Sequence, residues 1–332
     1  MSKGSAPPAS RAPGSGGSPA VRRALIAGGL AAGAAGIYIL ERAASRRWRV
    51  GDEELAAAGL TLPPDLEHRF VRTSDGGRIH AVERGEGPAV VLVHGVTLGV
   101  ATWAPQLRHL GGRVVAVSQR GHGQSQAGDG GYGFDRLGAD LLEVLEDLDV
   151  TDAVLVGHSM GGMVAQHLAV ERPDDLARRV RRLVLVATAP GPLVVAPLTA
   201  LITAGATRAL GGAERRGRGP FPQSMTVWAA RSAFGEDPSP AAVELLRQML
   251  DAMSPSALAG LLPVLLAFDV RARLGGVSLP VHVVCGTRDL LTPPRTARAI
   301  VGALPGAALS MLPGCGHMVM LERSDELCSI LR

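Results

Sequence analysis

A serine flanked by glycines where an apolar strand meets a helix can serve as a nucleophile. This sequence holds one in Gly157-His158-Ser159-Met160-Gly161-Gly162. Residues 152–158 (DAVLVGH) read as a buried strand, and residues 159–171 read as an amphipathic helix. The glycines permit a turn sharp enough to lift the hydroxyl off the strand end. The helix N-terminus then offers unpaired N–H groups and a positive dipole end to developing negative charge.

Nucleophilic catalysis also needs a base for the hydroxyl proton and an acid to orient that base. Among nine histidines, chain order selects His317, in Gly314-Cys315-Gly316-His317-Met318 after the last strand signal. Asp289, in Gly286-Thr287-Arg288-Asp289, follows the preceding strand signal. Both loops leave the carboxyl ends of parallel strands, the edge where such sheets place ligands. An acid could instead follow the strand at 182–188, but no Asp or Glu occurs from 189 to 213. An oxyanion needs two converging N–H donors. Met160 offers one from the helix start, and Val96, in His94-Gly95-Val96, offers the other. His94 and His158 read as loop-orienting residues, Cys315 as a bystander, and Asp129, Asp135 and Asp140 as solvated or capping side chains.

These residues must be carried by strands. Strand signals fall at 67–73, 78–84, 89–94, 113–119, 152–158, 182–188, 281–286 and 307–313, the first two joined as a hairpin through Ser74-Asp75-Gly76-Gly77. Four in the middle are continuous apolar runs, the mark of strands buried on both faces. Helical stretches at 103–110, 134–148, 159–171, 293–304 and 319–331 lie between and after them. Residues 190–268 break the alternation with apolar helical stretches and no strand signal. The expected fold is therefore α/β: a mostly parallel eight-stranded sheet flanked by helices, with a helical cap inserted after the sixth strand. The core is expected over 50–189 and 269–332, and the cap over 190–268.

Five motifs in order, namely His94-Gly95, Arg120-Gly121-His122-Gly123-Gln124-Ser125, Gly157-His158-Ser159-Met160-Gly161, Gly286-Thr287-Arg288-Asp289 and Gly314-Cys315-Gly316-His317, resemble the α/β-hydrolase superfamily, in its serine esterase and lipase-like branch. The resemblance covers roughly residues 67–332, and the chain ends at Arg332 inside the last expected helix. It implies a Ser159–His317–Asp289 triad, a loop-bracing role for His122, an acyl-enzyme intermediate, no cofactor and no metal. Ser159 stands where the dehalogenases and epoxide hydrolases of that superfamily carry Asp, and Met160 stands where prolyl iminopeptidases usually carry Trp. Carboxylic ester hydrolysis is the expected activity. Perhydrolase (non-heme peroxidase) chemistry on the same triad, or a non-catalytic ligand-binding role, are the alternatives.

Composition narrows the partners. Residues 1–49 hold eight of the 34 basic residues and one of the 30 acidic ones, which leaves 26 basic and 29 acidic residues in the remainder. The basic balance thus belongs to a leader, and the mildly acidic body lacks the basic face of a nucleic-acid reader. Residues 1–21 are Gly/Pro/Ser-rich and expected to be disordered. Residues 22–49 contain an uncharged apolar stretch with arginines on both flanks. It is expected to be a membrane-associating helix of undetermined side, with a twin-arginine-like export signal or an Ala-rich helix packed on the domain as the other readings. The cap holds Phe221, Trp228, Phe234 and Phe268, four of ten aromatics. Phe221 and Trp228 are the expected substrate contacts, for a small hydrophobic ester or acyl compound.

Overall fold

The hairpin at the front and the apolar runs behind it all join one sheet. In a computed structural model, which describes residues 46–192 and 223–332, its strands are β1 Glu67–Arg72, β2 Arg78–Arg84, β3 Ala89–Val93, β4 Arg113–Ser118, β5 Ala153–His158, β6 Val180–Val186, β7 Val281–Gly286 and β8 Ala308–Leu312. Their spatial order is β1-β2-β4-β3-β5-β6-β7-β8. β2 runs antiparallel to both β1 and β4, and all other neighbours are parallel.

The chain steps outward from β3 to β4 and then returns to β5 on the other side of β3. That reversal opens a crevice beyond the carboxyl ends of β3 and β5, where α/β sheets bind ligands. His94-Gly95-Val96 leaves β3 there, and Ser159 follows β5.

The helices that position the site are α1 Phe134–Asp147, α2 Met160–Glu171, α3 Gln223–Ser232, α4 Pro240–Ala252, α5 Pro255–Ala267, α6 Pro294–Ala303 and α7 Ser324–Leu331. Alternate side chains of the central strands feed two apolar layers. Val91, Val93 and Leu155 pack with α1, α2 and α6 on one face. Leu92, Val154 and Val156 pack with Trp103, Leu107 and α7 on the other. All six residues of β5 are buried, as continuous apolar runs in a doubly covered sheet require. Trp48, at the end of the expected apolar segment 22–49, is buried in the second layer.

Between β6 and β7 the described residues form α3, α4 and α5 and no strand. Ser239 and Ser254 start α4 and α5 by accepting the N–H groups of Ala242 and Ala257, and a proline follows each cap where a missing N–H costs nothing. The last expected helix is two: it breaks at Arg323 (φ −137°, ψ 52°), between Val319–Glu322 and α7. Asp140 is also not solvated. It is buried on α1, and its carboxylate binds the fully buried Arg120 guanidinium at 2.5 and 2.8 Å. Arg120 further binds Asp75 and the Gly131 carbonyl, so the loop after β4 rests on a saturated charge cluster.

The expected leader 1–21, most of the apolar segment 22–49 and Phe221 lie outside the described residues. Among the described residues no single helix is long and apolar enough to cross a membrane.

Candidate active site

Ser159 adopts φ 52° and ψ −115°, a left-handed conformation that a β-carbon resists. The packing around it compels the turn. A β-carbon on Gly157 would lie 2.4 Å from the Gly161 carbonyl oxygen, and one on Gly161 would lie 2.3 Å from that of Val93. Only glycines let β5, the turn and the end of β3 approach so closely. The Ser159 N–H donates to the Val186 carbonyl at 3.0 Å, and its own carbonyl accepts from Thr188 Oγ1 at 2.7 Å. Both partners stand at the end of β6, so the turn is held from its neighbour strand.

His317 and Asp289 come together from the loops after β8 and β7. His317 Nδ1 lies 2.9 Å from Asp289 Oδ2. Asp289 Oδ1 accepts the N–H groups of Leu291 and Thr292 at 2.9 Å, and Oδ2 accepts the Thr292 hydroxyl at 2.7 Å. Burial pushes the Asp289 carboxyl up, but His317 and these donors outweigh it and hold it below the usual carboxylate range. Thr292 was not singled out from sequence. Asp-x-x-Thr after a strand, with the Asp carboxylate accepting backbone N–H groups two and three residues on, is the signal that could have found it.

Three further histidines frame the site. His158 Nε2 lies 3.0 Å from the His317 carbonyl oxygen, so Nε2 carries the proton. Its Nδ1 is buried without a hydrogen-bond partner among the described residues. Burial pushes His158 well below the ordinary imidazole range, with His317 adding to the effect, and keeps the ring neutral. His94 bridges the Gly95 carbonyl and the Gln119 N–H, and burial lowers it to about 3. His122 accepts the N–H of Thr97, next to Val96, and burial lowers it to about 4. The Val96 N–H makes no hydrogen bond to any described residue. The Met160 N–H stands in the first turn of α2, where helix donors have no intrahelical acceptor. Cys315 is fully buried and its thiol is pushed upward by burial, which makes it a poor nucleophile.

Ser159, His317, His158 and Val96 open on one cavity of about 550 Å³. Its remaining described walls are mostly leucines, among them Leu246 and Leu250 of α4, Leu265 of α5, and Leu290 and Leu291 beside Asp289. No Lys, Arg, Asp or Glu stands among the described lining residues. Trp228 is not a wall of this cavity. It is 40% exposed on α3, while Ala229 and Ser232 of the same helix, and Ala233 just after it, line the cavity. A helix turns about 100° per residue, so one position separates the two faces.

Comparison with known proteins agrees with this architecture. The model of the alpha/beta hydrolase family matches residues 90–330. The chain is 31% identical over 256 residues to a pimeloyl-(acyl-carrier protein) methyl ester esterase of Chromobacterium violaceum, a match covering 74% of this chain and 94% of that protein. A thermophilic esterase from Thermogutta terrifontis superposes with a TM-score of 0.68 at 25% identity, over 80% of this chain and 97% of that one. An esterase from Exiguobacterium antarcticum shares the fold, with a TM-score of 0.71 at 21% identity over 80% and 98%. Because the family match runs from β3 through the last helix, and so spans the Ser159 turn, the Asp289 loop and the His317 loop together, the chain belongs to the alpha/beta hydrolase family.

Proposed function

We propose that this hydrolase cleaves carboxylic esters of small, neutral, apolar acyl groups by serine catalysis without a cofactor. The observation that carries the reading is the Asp289–His317 pair, whose imidazole opens with Ser159 on a leucine-lined cavity. The esterase names of the similar proteins point the same way.

In the proposed reaction the Ser159 hydroxyl attacks the ester carbonyl carbon as His317 Nε2 takes its proton. Asp289 holds Nδ1–H and so presents Nε2 to the serine. The carbonyl oxygen gains negative charge and accepts the N–H groups of Val96 and Met160. Such a donor stabilises the transition state by about 3–4 kcal/mol where it has been removed in other enzymes. Collapse breaks the bond to the alkoxy group, which leaves as the alcohol with the proton from His317. Water, deprotonated by His317, then attacks the acyl-enzyme and releases the carboxylic acid, and the proton returns to Ser159.

The test is labelling by a fluorophosphonate together with turnover of p-nitrophenyl butyrate. Wild type is expected to label and turn over, and Ser159→Ala to do neither while unfolding at an unchanged temperature. Labelling that persists in Ser159→Ala would place the nucleophile elsewhere and sink the proposal.

A further inference from the structure

Behind His317 the root of the cap and the His317 loop meet backbone to backbone. The His317 N–H donates to the Ala233 carbonyl at 2.7 Å, and the Glu236 N–H donates to the Gly314 carbonyl at 3.0 Å. Between these two bonds the N–H groups of Gly235 and Gly316 have no carbonyl to meet. Both point to one carboxylate: Glu322 Oε2 accepts Gly235 N–H at 2.8 Å, and Oε1 accepts Gly316 N–H at 3.0 Å. The approach is very close. A β-carbon on Gly235 would lie 1.9 Å from the Gly314 oxygen, and one on Gly316 would lie 2.4 Å from the Gly235 nitrogen.

We propose that Glu322 is a positioning residue for His317, clamping the root of the cap onto the His317 loop through one N–H from each. The inference rests on the reading of His317 as the base. Gly316 immediately precedes His317, and Ala233 and Gly235 immediately follow α3, whose inner face lines the cavity. Displacing either strand of this clamp would move the imidazole relative to both Asp289 and Ser159. A carboxylate suits the place because it accepts on both oxygens, whereas an amide of the same shape would point an NH2 at one of the two N–H groups.

The energetics favour placement over stabilisation. Burial pushes the Glu322 carboxyl upward, and the N–H groups of Gly235 and Gly316 do not fully offset it. A raised carboxyl means that the folded chain binds its proton more tightly than the unfolded chain does. The ionised form is therefore held at a cost to stability near neutral pH. The exposed Arg288–Glu236 ion pair, which ties the cap root to the Asp289 loop with side chains 64% and 60% accessible, adds little.

The test compares full-length wild type with Glu322→Gln and Glu322→Asp on p-nitrophenyl butyrate. In each, kcat is expressed per site counted by fluorophosphonate labelling at its end point, so a partly folded sample still reports. Glu322→Gln is expected to lower kcat about tenfold to a hundredfold, the scale of a misplaced catalytic group, with KM within about twofold and the unfolding temperature unchanged. Glu322→Asp, too short to reach both N–H groups, is expected to move kcat the same way. A loss of countable sites with kcat per site at the wild-type value would make Glu322 merely structural and overturn the inference. Ser159→Ala run alongside separates the two readings. Turnover surviving in that variant removes the proposed function, while an inactive Ser159→Ala beside a fully active Glu322→Gln removes only the clamp.

Discussion

His122 Nε2 accepts the Thr97 N–H at 3.1 Å, which ties the loop after β4 to the loop after β3. The other ring nitrogen, Nδ1, lies 3.0 Å from the Arg120 carbonyl and so carries the proton, leaving Nε2 free to accept. Thr97 has φ 64°, a left-handed conformation that a β-branched residue adopts only when its surroundings impose it. The buried Arg120–Asp140–Asp75 cluster anchors the acceptor side of this link. Val96, one residue before Thr97, is thereby presented at the crevice with its N–H unbonded to any described residue.

Replacing His122 by Phe keeps a buried ring but removes the acceptor. The Thr97 N–H is then left unsatisfied and the Val96 loop is released. The expected outcome is a kcat for ester hydrolysis lower by about tenfold, with a loss of about 1–3 kcal/mol in urea unfolding. A variant with wild-type kcat would show that the Val96 loop holds its geometry without His122.

Stability should fall as the solution is acidified from neutrality. His94 and His122 are lowered from 6.5 to about 3 and about 4, and His158 is lowered well below 6.5, each chiefly by burial. Between about 4 and 6.5 the unfolded chain binds these protons and the folded chain does not. Their contribution is thus complete above 6.5 and is lost as pH falls, at up to about 1.4 kcal/mol per pH unit for each histidine. Urea midpoints measured at pH 7, 6 and 5 are expected to drop steadily. A midpoint constant over that range would mean that these imidazoles are protonated within the folded chain.

Much of this architecture could be read from residue order, and the exceptions share a cause. The turn at Ser159 and the meeting of Asp289 with His317 were legible because each follows an apolar strand and stands near glycines that close packing demands. His122 was expected as a loop brace from the family resemblance of residues 120–125, and it meets Thr97. Trp228 was misread because an apolar helix declares its composition but not which face turns inward; the spacing of Ala229, Ser232 and Ala233 was the better guide. Asp140 reads as a surface acid until Arg120, 20 residues earlier, is brought against it. Glu322 acts on Gly235, 87 residues away, and no local pattern announces such a contact.

Ser159→Gly separates strain from chemistry. With φ at 52°, Ser159 sits where glycine is at ease, and such strain costs of order 1–3 kcal/mol. The glycine variant is expected to be inactive, yet to unfold at a temperature about 2 °C or more above wild type. An unchanged or lower unfolding temperature would mean that the surrounding turn, and not the serine, bears the strain.

Thr292→Val removes one hydroxyl at nearly constant volume. That hydroxyl donates to Asp289 Oδ2 at 2.7 Å and lies 3.3 Å from His317 Nδ1. Without it Asp289 keeps its two backbone donors but loses a charge-assisted bond worth about 1.5–3 kcal/mol. Steady-state kinetics should show kcat reduced about tenfold with KM little changed. A KM effect alone would instead assign Thr292 to substrate contact, since it also lines the cavity.

The leucine walls make a prediction about charge as well as length. Among the described lining residues none is Lys, Arg, Asp or Glu. A carboxylate at the far end of an acyl chain would enter such a cavity without a partner, at a cost of several kcal/mol. For two p-nitrophenyl esters of equal length, one from octanoic acid and one from the C8 dicarboxylic acid, kcat/KM is expected to favour the neutral chain by about a hundredfold or more at pH 7. Lowering the pH should narrow the ratio, because the distal carboxyl becomes neutral near its ordinary pKa. Equal rates on the two esters at pH 7 would mean that the acyl end stays in solvent or meets a cation, and the neutral, apolar substrate class would then be wrong even with the Ser159 chemistry intact.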